Sequence, residues 1–149
     1  MGKIYFIDVT NRDGVQTAHL GLAKLEKTMI NIYLNEMSVF QSEFGFPTTR
    51  HESLYLQANL ELVDMGLLQP IRLEGWIRAV AEDVEKAFQF VPNLKHLNLS
   101  NSTSDQMIQG KFLGKKSRED IISIMIESVE AARAHRADSI GVNAEDASR

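Results

Sequence analysis

Nine residues near the N-terminus, Asp8-Val9-Thr10-Asn11-Arg12-Asp13-Gly14-Val15-Gln16, concentrate carboxylates, an arginine and amide side chains. An aspartate at the end of a strand can ligate a hard divalent cation, and an always-charged guanidinium beside it can hold a developing enolate or carboxylate oxygen. An ordinary Asn/Asp/Gly surface turn with an exposed ion pair accounts for the same residues, because such turns are common and exposed pairs contribute little. On residue chemistry alone both readings stand.

The elements that would position this loop read as repeated βα units. Strand one is expected over Lys3 to Asp8, followed by a helix from about His19 to Glu36. Strand two is expected over Ser38 to Glu43, then a helix from about His51 to Met65 that Gly66 stops, as glycine past a helix end does. Strand three, Ile71 to Trp76, leads into a helix from about Ala79 to Phe90. Strand four, Leu94 to Ser100, sets Leu97 and Leu99 against His96, Asn98 and Ser100, a period of two with one oily and one polar face. Ser117 and Asp120 form a capping-box-like start to a helix running to about His135, and strand five is Ser139 to Asn143.

Five strands alternating with four helices predict a parallel sheet, because parallel neighbours need crossover connections. Asp8, Glu43, Ser100, Asn143 and Glu145 all fall at or just past C-terminal strand ends, the rim on which a barrel builds its active site. No glycine-rich GxGxxG loop follows strand one, which weighs against a dinucleotide-binding sheet. The predicted fold is therefore α/β, a partial TIM (β/α)8 barrel comprising its first five strands and four helices.

Composition narrows the chemistry further. A net charge of −4 gives no basic footprint, so neither nucleic acid nor an anionic membrane surface is expected as a partner. No apolar stretch approaches the roughly 20 residues of a membrane span, and no secretory leader is legible, so a cytoplasmic location is expected. With no cysteine, any metal must be held by carboxylate, imidazole or water.

The loop DVTNRDGVQ resembles the DxTxRDGxQ signature of the DRE-TIM metallolyase superfamily, which includes the isopropylmalate, homocitrate and citramalate synthases and hydroxymethylglutaryl-CoA lyase. Further matches follow in order along residues 1–149. Glu43-Phe44-Gly45-Phe46-Pro47 resembles the ExGFP element after strand two, Arg78-Ala79 the arginine after strand three, and Ser104 with Lys111 the SD...K stretch after strand four. Gly141 to Arg149 resembles the xxSAEDASR element after strand five. The wording DVTNRDGVQTA and QSEFGFPTTRHE is similar to homocitrate synthases and the related Re-type citrate synthases.

This resemblance implies an acyltransferase that joins acetyl-CoA to a 2-oxo acid, 2-oxoglutarate or oxaloacetate, by a Claisen-type condensation dependent on a divalent metal (Mg2+, Mn2+ or Zn2+). It makes Arg12 the group that stabilises enolate and carbonyl oxygens, Asp13 the metal ligand, and Gln16 a supporting catalytic residue. Glu43, Arg78, Ser104, Asn143 and Glu145 would bind substrate, with Asn143 standing where the family often has serine. A lyase-type cleavage of a hydroxymethylglutaryl-CoA-like substrate is the alternative within the superfamily, and the AEDASR element favours the synthases.

The family's other metal ligands form a His-x-His element on strand seven. A barrel typically takes about 250 residues, so a chain that reads through strand five has no sequence for them. That predicts a fragment, or a split-enzyme or non-catalytic subunit, associating as a homo-oligomer or with a C-terminal half because open sheet edges invite pairing. Of the scattered histidines, His135 reads as a helix-end residue, His51 as a surface residue at a helix start, and His96 as a hydrogen-bonded core residue. Lys111, Lys115 and Lys116 form either a solvated basic loop or a patch that steers an anionic substrate. The six methionines are expected in helix–sheet packing.

Overall fold

The computed structural model describes residues 2–148. Five parallel strands lie in the order β1-β2-β3-β4-β5: β1 (Ile7–Asp8), β2 (Gln41–Gly45), β3 (Arg72–Arg78), β4 (His96–Ser102) and β5 (Ser139–Glu145). Helices α1 (Lys24–Glu36), α2 (Arg50–Asp64) and α3 (Ala81–Phe90) fill the first three crossovers. The fourth holds a short α4 (Asp105–Gly110) and a long α5 (Arg118–Ala134). Because the strand order never reverses, right-handed crossovers carry every helix to the same face; a doubly wound sheet reverses and covers both faces. The result is half a barrel with helices outside.

Strand alternation sorts the residues between the two faces. Phe44, Leu73, Ile77, Leu97 and Leu99 join Tyr55, Leu56, Val84, Ala87 and Ala132 of α2, α3 and α5 in one buried apolar cluster. The register places Gln41, Glu43, Glu74, His96, Asn98, Ser100, Asn143 and Glu145 on the opposite, concave face. The C-terminal ends of the strands form its rim.

Several boundaries differ from expectation. The first strand pairs only through Ile7 and Asp8, and Ile4, Tyr5 and Phe6 are exposed, since β1 has β2 as its one neighbour among the described residues. The first helix begins at Lys24, not His19, because His19 adopts a left-handed backbone (φ 65°) that no helix accepts. Its start is closed by the Ala23 N–H donating to Glu26 Oε2 at 2.6 Å. Strands two to five each continue two residues beyond the predicted ends, to Gly45, Arg78, Ser102 and Glu145. The short α4 was not expected; Ser104 caps it by accepting from the Met107 N–H at 3.2 Å. The reciprocal Ser117–Asp120 capping box is present (2.7 and 3.1 Å). Met29, Met37 and Met65 are exposed, so the expected burial of methionine fails there: Met29 on α1 and Met37 at its C-cap belong to a solvent-facing stripe with Leu25 and Tyr33, and Met65 caps α2. No helix among the described residues is long and apolar enough to cross a membrane.

Candidate functional site

The loop after β1 folds back as a tight turn in which the N–H groups of Arg12, Asp13 and Gly14 all donate to Val9 O. Asp8 is spent locally, its two oxygens accepting from the Thr10 N–H (2.9 Å) and hydroxyl (3.0 Å). Asn11 is fully buried and donates to Lys27 O and Asn31 Oδ1 at 2.8 and 2.9 Å. Asn31 also accepts from Ser42 and donates to the Tyr55 hydroxyl and Asn59 Oδ1. Burial, outweighing the hydrogen bond from Asn31, pushes the Tyr55 pKa up, so the hydroxyl stays neutral within the network. The loop is thereby bolted to α1, α2 and β2, which aims the next residue, Arg12, at the rim.

Arg12 grips Glu43 through Nε (2.8 Å) and Nη2 (2.5 Å), both to Oε2, and Asp13 through Nη1 (2.9 Å). Glu43 is 3% exposed, and its other oxygen accepts from Asn98 Nδ2 at 2.6 Å. A charge so buried is tolerated only when paired and hydrogen-bonded, which Arg12 and Asn98 provide. The guanidinium carbon lies 5.1 Å from the Trp76 ring centroid, a cation–π contact that fixes its plane. Arg12, Gln16 and Arg78 share one cavity with Asn11, Phe46, Thr49, Glu52 and Trp76. Arg78 is held at its wall by Asp83 of α3 (2.5 and 2.9 Å), which raises its pKa.

The EFGFP element has a steric reason. A Cβ on Gly45 would lie 2.6 Å from Glu52 Oε2 and 2.9 Å from Leu56. That gap lets Glu52 accept from the Phe46 N–H (3.0 Å) while pairing with Lys27 (2.8 Å). On β3, a Cβ at Gly75 would strike Pro47 at 2.9 Å, so glycine there seats the proline.

A second cluster lies across β4 and β5. Glu145 accepts from Ser100 Oγ (2.7 Å) and Ser102 Oγ (3.0 Å), and Lys111 Nζ donates to Ser102 Oγ at 3.0 Å. Asn143 is exposed and reaches Ser100 at 3.5 Å. Ser104, besides capping α4, donates to Asp146 at 3.3 Å. Strand β4 links the clusters, with Asn98 serving Glu43 and Ser100 and Ser102 serving Glu145. Arg149, the last residue of the AEDASR element, lies outside the described residues.

The sequence places Asn98 on the polar face of strand four but assigns no role to it, nor to Trp76, Glu74 or the Asn11–Asn31–Asn59 network. Asn98 and Trp76 were findable, since both occupy inward positions of alternating strands, whereas the network joins residues from one loop and two helices that no spacing connects. His96 Nδ1 lies 2.8 Å from Ser139 Oγ, and His135 stacks on Phe88 while pairing with Glu85 at 2.9 Å.

Asp13 is 57% exposed and supplies one oxygen donor at the mouth, but no grouping of three or more His, Cys, Asp or Glu suited to a metal ion occurs among the described residues. One carboxylate fits as a single ligand and does not make a coordination set.

An unreversed parallel half-barrel with an arginine–carboxylate cluster at its strand ends defines the β/α-barrel class. The HMGL-like family profile matches residues 3–149, and the chain belongs to that family. It is 67% identical over its whole length to a citrate (Re)-synthase of Dehalococcoides mccartyi, covering 36% of that protein. A 2-isopropylmalate synthase of Caldanaerobacter subterraneus is 36% identical over 98% of the chain, again covering 36% of the relative. The chain thus spans about a third of the length of these curated relatives. A crystal structure of hydroxymethylglutaryl-CoA lyase from Bacillus subtilis superposes with a TM-score of 0.61 over 94% of this chain and 46% of that one, at 14% identity, which speaks for the fold.

Proposed function

We propose that residues 1–149 are the N-terminal part of a (β/α)8 catalytic domain that condenses acetyl-CoA with oxaloacetate to give citrate and free CoA. The observation that carries this reading is Arg12, held at the rim by Glu43 and Asp13, in a chain 67% identical to a citrate (Re)-synthase. Three of the five N–H groups of Arg12 are engaged by these two carboxylates, which leaves two for oxygens of substrate.

The reaction removes a methyl proton from acetyl-CoA, adds the resulting enolate carbon to the oxaloacetate keto carbon, and hydrolyses the citryl thioester to release CoA. Arg12 offers a preorganised positive charge to the developing enolate and alkoxide oxygens, which is where such a charge lowers a barrier most. Gln16 and Arg78 line the same cavity and would orient the substrate carboxylates; Glu145, Ser100 and Asn143 would complete the far wall. Asp13 would hold a divalent metal together with donors from beyond this segment, and that ion would supply Lewis-acid polarisation of the keto group. Residues on the remaining strands would furnish the base.

The test is release of free CoA from acetyl-CoA by the full-length protein, followed by thiol detection with each 2-oxo acid in turn. Oxaloacetate should support the fastest release. Release driven chiefly by 2-oxoglutarate would move the assignment to homocitrate formation, and cleavage of a 3-hydroxyacyl-CoA with no condensation would replace it with lyase chemistry.

A further inference from the structure

Glu74 sits directly opposite Glu43 in the β2–β3 register and opposite His96 in the β3–β4 register. It is 5% exposed, on the concave face, beside Gln41, Arg72, Asn98 and Ser139. Like charges at facing positions of neighbouring strands repel, and burial sharpens the repulsion. The two carboxylates are treated unequally. Both oxygens of Glu43 are engaged by Arg12 and Asn98, whereas Glu74 has no ion-pair partner among the described residues.

We propose that Glu74 is a positioning residue for the Arg12–Glu43 pair: it carries the one proton that two facing carboxylates share, leaving Glu43 ionised and Arg12 committed to the mouth. This rests on the reading of Arg12 as the group that meets substrate oxygen. No bond to substrate is made or broken by Glu74. When it loses its proton, a second buried anion appears beneath Arg12 and the positive potential offered to the enolate falls.

The groups facing Glu74 are few. Glu43 comes from β2, beside the neutral Gln41, and Arg12 from the loop after β1. Arg72, two residues earlier on β3, lays its guanidinium over the Phe40 ring at 4.5 Å. The pKa of His96 on β4 is lowered by burial and then by Arg72, and β5 brings Ser139, Gly141 and Asn143 but no charged side chain to this cavity. Burial, then the Glu43 charge, push the Glu74 carboxyl up to about 7, against smaller opposing effects of Gln41 and Arg12. The protonated form is therefore favoured in the fold. Its stability contribution is complete below the ordinary glutamate value of 4.5 and is lost as pH rises to about 7.

The experiment compares the full-length protein with its Glu74→Gln variant, whose amide keeps the shape and stays neutral. The infrared spectrum of the wild type should contain a protonated-carboxyl band below pH about 7 that fades above it and is missing from the variant. The Tm advantage of the variant should widen as pH rises toward that value and then level off. In condensation assays the wild-type kcat should decline together with the band as pH rises through about 7, and Glu74→Gln should remove that decline with KM little altered. A wild type without the band overturns the proposal, even if the variant does not fold. So does a variant whose kcat keeps the wild-type pH profile. Band and Tm behaviour as expected, in a protein that condenses nothing, would overturn the proposed reaction while upholding the proton on Glu74.

Discussion

Arg12 owes its usefulness to what restrains it. Charge alone would be met by lysine, but only the guanidinium fork contacts Glu43 through two nitrogens and Asp13 through a third while lying against Trp76. Arg12→Lys is expected to leave divalent-metal affinity nearly intact and to lower kcat by roughly 10²–10³-fold, the range seen when a donor to a developing oxyanion is removed. Asp13→Asn should do the reverse at the binding step, weakening Mn2+ or Mg2+ affinity measured by calorimetry. Unchanged metal affinity in the Asp13 variant would remove it from the ligand set. The residues of the RDG loop were legible because strand ends concentrate chemistry. Among its anchors, Glu43 was legible through its motif and Asn98 through its place on the polar face of strand four, whereas the contacts of Asn98 with Glu43 and of Trp76 with Arg12 emerge only once β2, β3 and β4 are laid side by side.

At the scale of elements, two kinds of support can be separated. Leu97 is fully buried in the centre of the apolar cluster, so Leu97→Ala should cost about 2–5 kcal/mol in denaturant unfolding. Asn31 accepts from Asn11 and Ser42 and donates to Tyr55 and Asn59; Asn31→Ala should cost about 1–3 kcal/mol for each partner left buried and unsatisfied. The two differ in function. Losing Asn31 frees the loop that aims Arg12, so kcat should fall at temperatures where both variants remain folded, while Leu97→Ala should keep a near-normal kcat. Equal kcat losses in the two would argue that the network merely stabilises. The βα alternation behind this frame was readable from hydrophobic period, since Leu97 and Leu99 alternate with His96 and Asn98. Element ends were less so: His19 and Ser38 take left-handed backbones that residue type does not announce. The six-residue α4 is too short to show a helical period.

For the whole molecule, both open ends of the sheet expose apolar side chains. Ile4, Tyr5, Phe6 and Ile7, together with the Leu25–Met29–Tyr33–Met37 stripe of α1, are exposed on the β1 side. Val142 of β5 and Ile122 and Ile126 of α5 are exposed on the other. Patches of this kind beside unpaired strand edges mark surfaces that associate. Residues 1–149 expressed alone should therefore sediment as oligomers or aggregates and show no condensation, and co-expression with the segment that completes the barrel should yield a one-to-one complex. A well-behaved monomer would contradict this. The proposed formation of citrate at the Arg12 rim is tested most directly by following isotopic label from the acetyl group of acetyl-CoA in the full-length protein, wild type and Arg12→Lys side by side. Labelled citrate is expected with oxaloacetate as co-substrate, with a loss of roughly 10²–10³-fold in the variant; no labelled citrate from the wild type, or equal yields from both proteins, would contradict the assignment.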